Sequence, residues 1–288
     1  MTCRLILILA ILLISLPALA AEESKDLDDL LARAAEAAAA ERLDEALKLA
    51  DRAVAVAPKD ARTLGIRVRL RQAAKDWPGV VADADALLSI DAKRTDATFA
   101  RAVAHFMLGH ADKSCADFDA YAKARPDDVP QLWQRGIALY YAGRFEDGAK
   151  QFEQHRTVNP DDVENSAWHF ACVARWKTPA DAKKVLIPSR GDERVPMMTV
   201  LDLFAGKATP DDVLAAATAD KGLNEKALAR RLFYAHLYIG LYYDALGESV
   251  KAKEHMALAA DKYPVPDYMH GVAKAHGRFV AGRAAQAK

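Results

Sequence analysis

The chain has 288 residues, with 40 basic and 40 acidic side chains and a hydrophobic fraction of 52%. Without a basic excess, neither nucleic acid nor an anionic membrane surface is expected as a partner. The length suffices for one elongated repeat domain or two compact domains.

The first twenty residues have the pattern of a secretory signal peptide. Met1–Arg4 is a short basic start, an apolar run follows, and Ala18-Leu19-Ala20 is a small-x-small cleavage signature. We predict cleavage after Ala20 and a periplasmic or secreted mature protein. The apolar run is too short to span a bilayer comfortably, so no stable membrane insertion is expected. Cys3 precedes this run, whereas a lipid-modified cysteine would follow it, so we expect no lipid anchor.

Prolines recur at one phase of a fixed period in the remaining chain. Pro58, Pro126 and Pro160 lie on a 34-residue lattice, with Ala92 at the vacant point. This is the length of a tetratricopeptide helix–turn–helix unit. Such a unit needs small residues where its two helices meet, a glycine after the first helix and an aromatic residue towards the next unit. In the fourth unit these residues are Gly136, Gly143, Phe145 and Phe152.

The lattice also sets where each unit begins. Units start at Leu27, Ala61, Thr95 and Val129, and a later unit starts at Phe233. The sequence Pro-Asp-Asp-Val occurs three times, at Pro126, Pro160 and Pro210. We interpret its aspartates as caps of the following helices and not as paired catalytic carboxylates.

The lattice breaks between Lys177 and Leu223, where prolines separate short apolar segments. Helices are predicted there and beyond at Ala180–Leu186, Val195–Phe204, Asp211–Ala219, Asn224–Leu246 and Asp267–Val280, with a frayed tail from Ala281.

The predicted fold class is all-α: a tetratricopeptide-type right-handed α-solenoid of about five to six helix hairpins, with an irregular segment before the last repeat. The predicted organisation is a signal peptide (1–20), an N-terminal repeat array of four to five units (21–176), an irregular helical segment (177–222), a C-terminal repeat unit with a capping helix (223–282) and a tail (283–288).

Four stretches carry a narrower resemblance. They are Gln134–Arg144, Asn159–Val163, Trp168-His169-Phe170 and Leu237–Gly247. In this order, with a degenerate region between them, they resemble the new-lipoprotein-I family of bacterial tetratricopeptide proteins. The resemblance covers roughly Thr95–Lys262. It implies a periplasmic adaptor, often a homodimer, that docks peptidoglycan hydrolases and a tail-specific protease. The best-known members are outer-membrane lipoproteins, whereas this chain lacks the lipidation cysteine.

The first helices of the third and fourth units predict a binding groove, because certain positions of such helices face the concave side. The predicted groove residues are Phe99, Val103, Phe106, Met107, Trp133, Ile137, Tyr140 and Tyr141. Aromatic side chains with a polar tip are favoured interface anchors. We therefore expect protein or peptide partners from the cell envelope. The sequence leaves open the alternative that these residues pack on the next repeat or on the C-terminal helix of the chain itself.

The second unit carries several arginines on one helix. They are Arg62, Arg67, Arg69 and Arg71. A solvated charged face is the favoured interpretation, and a contact with an acidic partner is the alternative.

The competing function is a metal-binding or catalytic helical protein that uses the histidines of the C-terminal half. These are His155, His169, His236, His255, His270 and His276. No HExxH or GxSxG motif occurs, so we expect a non-catalytic adaptor without a cofactor or metal. A structural subunit of an envelope assembly, acting through its convex face, is a third alternative. For Cys115 and Cys172 the sequence leaves both a disulfide and two buried free thiols open.

Overall fold

The computed structural model describes the backbone of residues 26–286 and the side chains as far as Phe279. The predicted signal peptide and its cleavage point lie outside the described residues. Within residues 26–286 all regular secondary structure is helical and no strand occurs, which confirms the predicted all-α class. The chain divides into two compact units: an N-terminal unit that ends at Ala104 and a C-terminal unit that begins at His105.

The regular repeats comprise nine α-helices. They are α1 (26–39), α2 (Leu43–Val56), α3 (Ala61–Ala73), α4 (Trp77–Ile90), α5 (Thr95–Met107), α6 (Ala111–Ala124), α7 (Trp133–Tyr141), α8 (Phe145–His155) and α9 (Val163–Trp176). The remaining helices are α10 (Pro179–Lys184), α11 (Met197–Ala205), α12 (Pro210–Thr218), α13 (Glu225–Ala245), α14 (Ser249–Ala257) and α15 (Tyr268–Gln286).

Two features differ from the predicted helices. The fourth unit begins with a 3₁₀ segment, Pro126–Gln131, and its first α-helix starts only at Trp133. Two prolines in that segment, which cannot donate a backbone hydrogen bond, explain the delay. At the other end, α15 continues to Gln286, beyond the predicted end at Val280, since the small residues of the tail include good helix formers.

The N-terminal unit buries small and aliphatic side chains between successive helices. One cluster joins α1 to α2 around Leu30, Ala34 and Ala50, and a second joins α3, α4 and α5 around Leu64, Leu87 and Ala100. Alanines at the contact points let the helices approach closely.

A left-handed residue recurs after the first helix of each of the first four units. Its φ angle is 58° at Glu41, 59° at Lys75, 83° at Gly109 and 77° at Gly143. These four residues share one lattice phase, and Gly247 repeats the feature with 80°. At each turn the next residue donates to the carbonyl five residues back, as Arg144 does to Leu139. This is a Schellman motif, and two of the five positions hold it without glycine.

A second recurring feature links successive units by charge. The residues Arg67, Arg101 and Arg135 each donate to an aspartate sixteen residues earlier, and His169 lies against Glu153 in the same way. The aspartates are Asp51, Asp85 and Asp119. We call these four pairs the repeat clasp. Each pair joins the first helix of one unit to the second helix of the unit before it.

The C-terminal unit packs larger aromatic residues. Gly136 lies against Phe152, since a Cβ atom at residue 136 would stand 2.6 Å from the ring. Phe152 in turn stacks on Trp168 of α9, with ring centroids 6.5 Å apart. The irregular helices α11 and α13 cover the other side of α9, where Phe204 and Tyr242 pack near Phe170.

Candidate functional site

The structure places the predicted groove residues on two first helices, α5 and α7. Phe99 and Val103 belong to the N-terminal unit, where Phe99 is half-buried and Val103 buried. The other six belong to the C-terminal unit. Trp133 is half-buried there, and the other five are buried: Phe106, Met107, Ile137, Tyr140 and Tyr141.

The helix α15 covers much of this aromatic surface. Phe279 stacks on Tyr141 at a centroid distance of 4.4 Å and packs against Phe106 at 5.1 Å. The hydroxyl of Tyr141 lies 3.0 Å from the Nδ1 atom of His276. Along α5 and α7 the groove of the C-terminal unit is thus filled by the chain itself, one of the alternatives that the sequence left open.

An open cleft remains where α15 begins. It has a volume of about 480 Å³, and we call it the α9 cleft because the start of α9 forms its floor. Trp133 and Ile137 are the predicted groove residues that line it. Its other lining residues are Gln131, Phe152, His155, Val158, Asn159, Asp162, Glu164, Asn165, Trp168, Tyr234, Asp267, Tyr268 and Met269.

Buried polar atoms without a partner mark this cleft. Asn165 is 3% exposed, and neither its Nδ2 nor its Oδ1 atom has a hydrogen-bond partner among the described residues. The same holds for Nε1 of Trp168, which is 1% exposed, and for the hydroxyl of Tyr268. Buried polar groups in proteins are nearly always paired, so these three lining residues are exceptions that the described contacts do not satisfy.

Carboxylates give the cleft its charge. Asp162 and Glu164 share Arg194, and Glu164 also accepts from the hydroxyl of Tyr238. Burial raises the pKa of Glu164. The charge of Arg194 and the hydrogen bond from Tyr238 act in the opposite direction, but the rise due to burial is larger. Asp267, at the start of α15, accepts a 2.9 Å hydrogen bond from Tyr234. The lining residues include three carboxylates and no lysine or arginine.

A second cleft lies on another side of α7 and is less distinctive. It has a volume of about 560 Å³ and is bordered by Lys113, Tyr141, Arg175 and Arg278. The Nδ1 atom of His110, the one histidine among these lining residues, lies 3.4 Å from Nδ1 of His105. None of its lining side chains carries a buried atom without a partner in the part of the chain that is described.

The histidines do not converge on a metal site. Among the described residues no three His, Cys, Asp or Glu side chains form a metal-binding group. Each histidine of the C-terminal half has its own partner. His236 faces His255 at 3.0 Å, His155 and His270 contact backbone carbonyls, and His169 and His276 contact Glu153 and Tyr141.

The cysteines are free thiols in buried surroundings. Cys115 and Cys172 are not joined. Burial raises the pKa of Cys115 to about 12 and raises that of Cys172 as well, so neither thiol is activated as a nucleophile.

The arginines of the second unit have partners within the N-terminal unit. Arg67 and Arg71 both contact Asp83, which is 3% exposed, and Arg62 pairs with Asp28 and Asp60. Arg69 is exposed. Three of the four arginines therefore pair within the unit, and two of the four, Arg62 and Arg69, remain exposed as the solvated face expected from the sequence. The signal that reveals this is the sixteen-residue spacing of opposite charges, repeated from unit to unit.

The cleft residues Asn165, Trp168, Tyr234, Asp267 and Tyr268 were not among the predicted site residues. Asn165 and Trp168 lie on α9, which starts at Val163, 34 residues after the predicted start of the fourth unit at Val129, so their place on a first helix is consistent with the period. Their proximity to Asp267 and Tyr268 depends on how α15 packs against the repeats, and the 34-residue period does not predict that packing.

Comparison with known proteins defines the fold class. No family model matches the chain, and no curated protein is similar to it in sequence. A tetratricopeptide repeat protein from Parabacteroides merdae is similar in structure over 87% of this chain and 99% of its own, with a TM-score of 0.59 and 14% identity.

Two further solved structures are similar. YrrB, described as a TPR protein with an unusual peptide-binding site, matches over 66% of this chain and 92% of its own, with a TM-score of 0.52 and 13% identity. MamA is similar over 56% of this chain and 88% of its own, with a TM-score of 0.52 and 10% identity. The fold is therefore that of the tetratricopeptide class. Within residues 26–286, no helix combines the length and the apolar character needed to cross a membrane.

Proposed function

We propose that this chain is a non-catalytic scaffold that binds protein partners, and that the α9 cleft is its binding site. The observation that carries the proposal is Asn165, whose buried amide has no partner among the described residues although it lines an open cleft. A bound peptide supplies both a carbonyl and an N–H group, which are what an amide side chain pairs with.

The fold supports this proposal. Tetratricopeptide arrays present extended surfaces built by neighbouring helix pairs, and YrrB, which shares the fold, is described as having a peptide-binding site. In this chain α15 already fills the groove along α5 and α7. We infer that a partner binds beside α15, at Trp133 and Ile137, and not along the whole predicted groove.

We further propose that binding takes place in the cell envelope. The signal-peptide pattern that ends at Ala20 supports export, and the absence of a cysteine after the apolar run supports an unlipidated protein. The resemblance to the new-lipoprotein-I family supports cell-wall hydrolases or a tail-specific protease as partners, and a homodimer as the assembly.

Site-specific photo-crosslinking in the native host tests this proposal. A photoreactive amino acid at Asn159, an exposed residue of the cleft, is compared with one at Val250, which is 80% exposed on α14. We expect the probe at Asn159 to capture a partner and the probe at Val250 to capture none. Adding Asn165→Leu to the Asn159 variant should abolish the capture. Capture that is equal at both positions, or unchanged by Asn165→Leu, would contradict the proposal.

A further inference from the structure

The polar groups of the α9 cleft specify what a ligand must carry. Trp168 offers a donor alone, whereas Asn165 and Tyr268 each offer a donor and an acceptor. A ligand that satisfies all three therefore brings at least one acceptor and at least one donor. A simple amine lacks the acceptor, and a simple carboxylate lacks the donor.

The charge of the cleft decides which donor fits. Asp162, Glu164 and Asp267 line it, and no lysine or arginine does. Two arginines pair with these carboxylates: Arg194 pairs with Asp162 and Glu164, and Arg230 lies 3.8 Å from Asp267. Of the three carboxylates, Asp267 has the longest ion-pair contact. A cationic group is attracted here, and the carboxylate of an acidic peptide is repelled.

Aromatic faces favour the same charge. Trp133 and Tyr268 meet edge to face at a centroid distance of 5.0 Å, and Trp168 and Tyr234 complete the wall. Arg230 lies over the ring of Tyr234, 5.4 Å from its centroid, in a cation–π contact within the chain itself. Ammonium and guanidinium groups bind to such faces through the ring quadrupole.

We propose that the α9 cleft binds a short peptide segment of a partner protein that presents a lysine or arginine side chain. The basic side chain enters between Trp133, Tyr268 and the carboxylate of Asp267. The main chain of the segment pairs with the amide of Asn165 and with Nε1 of Trp168. The volume of about 480 Å³ lies within the range of specific ligand sites. This inference rests on the proposed function and names the chemistry of the partner.

A peptide library provides the test. Phage-displayed random dodecapeptides are selected on the purified full-length chain, and the enriched peptide is synthesised with a fluorescent label for affinity measurements. We expect lysine or arginine at one fixed position of the enriched peptides. Its replacement by norleucine in the synthetic peptide should weaken binding by at least about tenfold.

Variants of the protein locate the bound peptide. Asp267→Asn keeps the shape of the side chain and removes its charge, and Asn165→Leu removes the amide, so each should weaken binding by about tenfold or more. Asp211→Asn is the matched control, since Asp211 is exposed on α12 and does not line the cleft; it should leave the affinity unchanged. Circular dichroism verifies that each variant keeps its helices.

The outcomes separate this inference from the proposed function. Enriched peptides without a basic residue, whose binding is nevertheless lost in Asn165→Leu, would overturn the basic-segment inference and leave the binding function intact. Butylamine that binds as tightly as the peptide would also overturn it, because the cleft would then serve small amines. Peptides that bind equally to the wild type and to both cleft variants, or a library without enrichment, would overturn the inference and count against the α9 cleft itself.

Discussion

Tyr140 on α7 donates a 2.6 Å hydrogen bond to the carboxylate of Asp244 on α13, 104 residues further along the chain. Both side chains are buried. Burial, together with the nearby charge of Asp244, raises the pKa of Tyr140, so its hydroxyl remains a donor at neutral pH. This bond ties a regular repeat to the C-terminal helices that form part of the α9 cleft.

We expect Tyr140→Phe to destabilise the protein by about 1–3 kcal/mol, because Asp244 loses a donor in a buried environment. The measurement is the urea midpoint, followed by circular dichroism. Tyr243→Phe is the control: Tyr243 is half-buried on the same helix as Asp244, and we expect a change below about 0.5 kcal/mol. Equal midpoints for the wild type and Tyr140→Phe would show that this bond contributes little.

The left-handed turns predict opposite effects for the same substitution. Gly143→Ala should destabilise the chain by about 1 kcal/mol, because the φ angle of 77° disfavours a side chain. Gly65→Ala lies within α3 and should stabilise by about 0.5–1 kcal/mol. A Cβ atom meets nothing within 4 Å at either position, so a steric clash contributes to neither change in stability. Unfolding midpoints that shift in the same direction would contradict this interpretation.

The ion pair of Arg67 with the buried Asp83 predicts a strong effect at Arg67 and a weak effect at an exposed arginine. Arg67→Met should cost about 1–3 kcal/mol, because Asp83 is buried and keeps only part of its pairing. Arg33→Met removes an exposed pair with Asp29 and should cost less than about 0.5 kcal/mol. Urea titrations of both variants measure the difference. Similar midpoints for the two variants would show that the ion pairs of Arg67 contribute little to stability.

Acidification should loosen the packing of α13 on α14. Burial and the neighbouring His255 lower the pKa of His236 to about 4, whereas an unfolded histidine titrates near 6.5. The folded state therefore favours the neutral ring. The stability that the neutral ring of His236 contributes is complete above about pH 6.5 and is lost as the pH falls towards 4.

Between pH 7 and pH 5 we expect His236 to account for about 1 kcal/mol of lost stability. The measurement is the urea midpoint at both pH values, for the wild type and for His236→Gln. The variant should lose less stability on acidification than the wild type does. An equal loss in both proteins would assign the pH dependence to other groups.

The sequence predicts the repeats well because their determinants are local. The left-handed turn at Gly143 and the close contact of Gly136 with Phe152 both follow from residues within one 34-residue unit. The contacts of α15 do not follow in this way. Phe279 meets Tyr141 across a large separation in sequence, through an irregular segment that keeps no period.

The candidate site shows the same limit. Trp133 and Ile137 were predicted from their positions in a first helix, and both line the α9 cleft. Asn165 and Asp267 were missed, because a lone asparagine or aspartate near a helix start is usually a cap or a solvated side chain. Only the absence of a hydrogen-bond partner in the described fold distinguishes Asn165 from that ordinary role.

The most direct test of the account measures stability and binding together in Asn165→Leu. A buried amide without a partner is costly in the free protein, so its replacement by a similar apolar side chain should raise the urea midpoint while partner capture at the α9 cleft is lost. A variant that is less stable than the wild type and still captures the partner would show that Asn165 serves the fold and not a ligand.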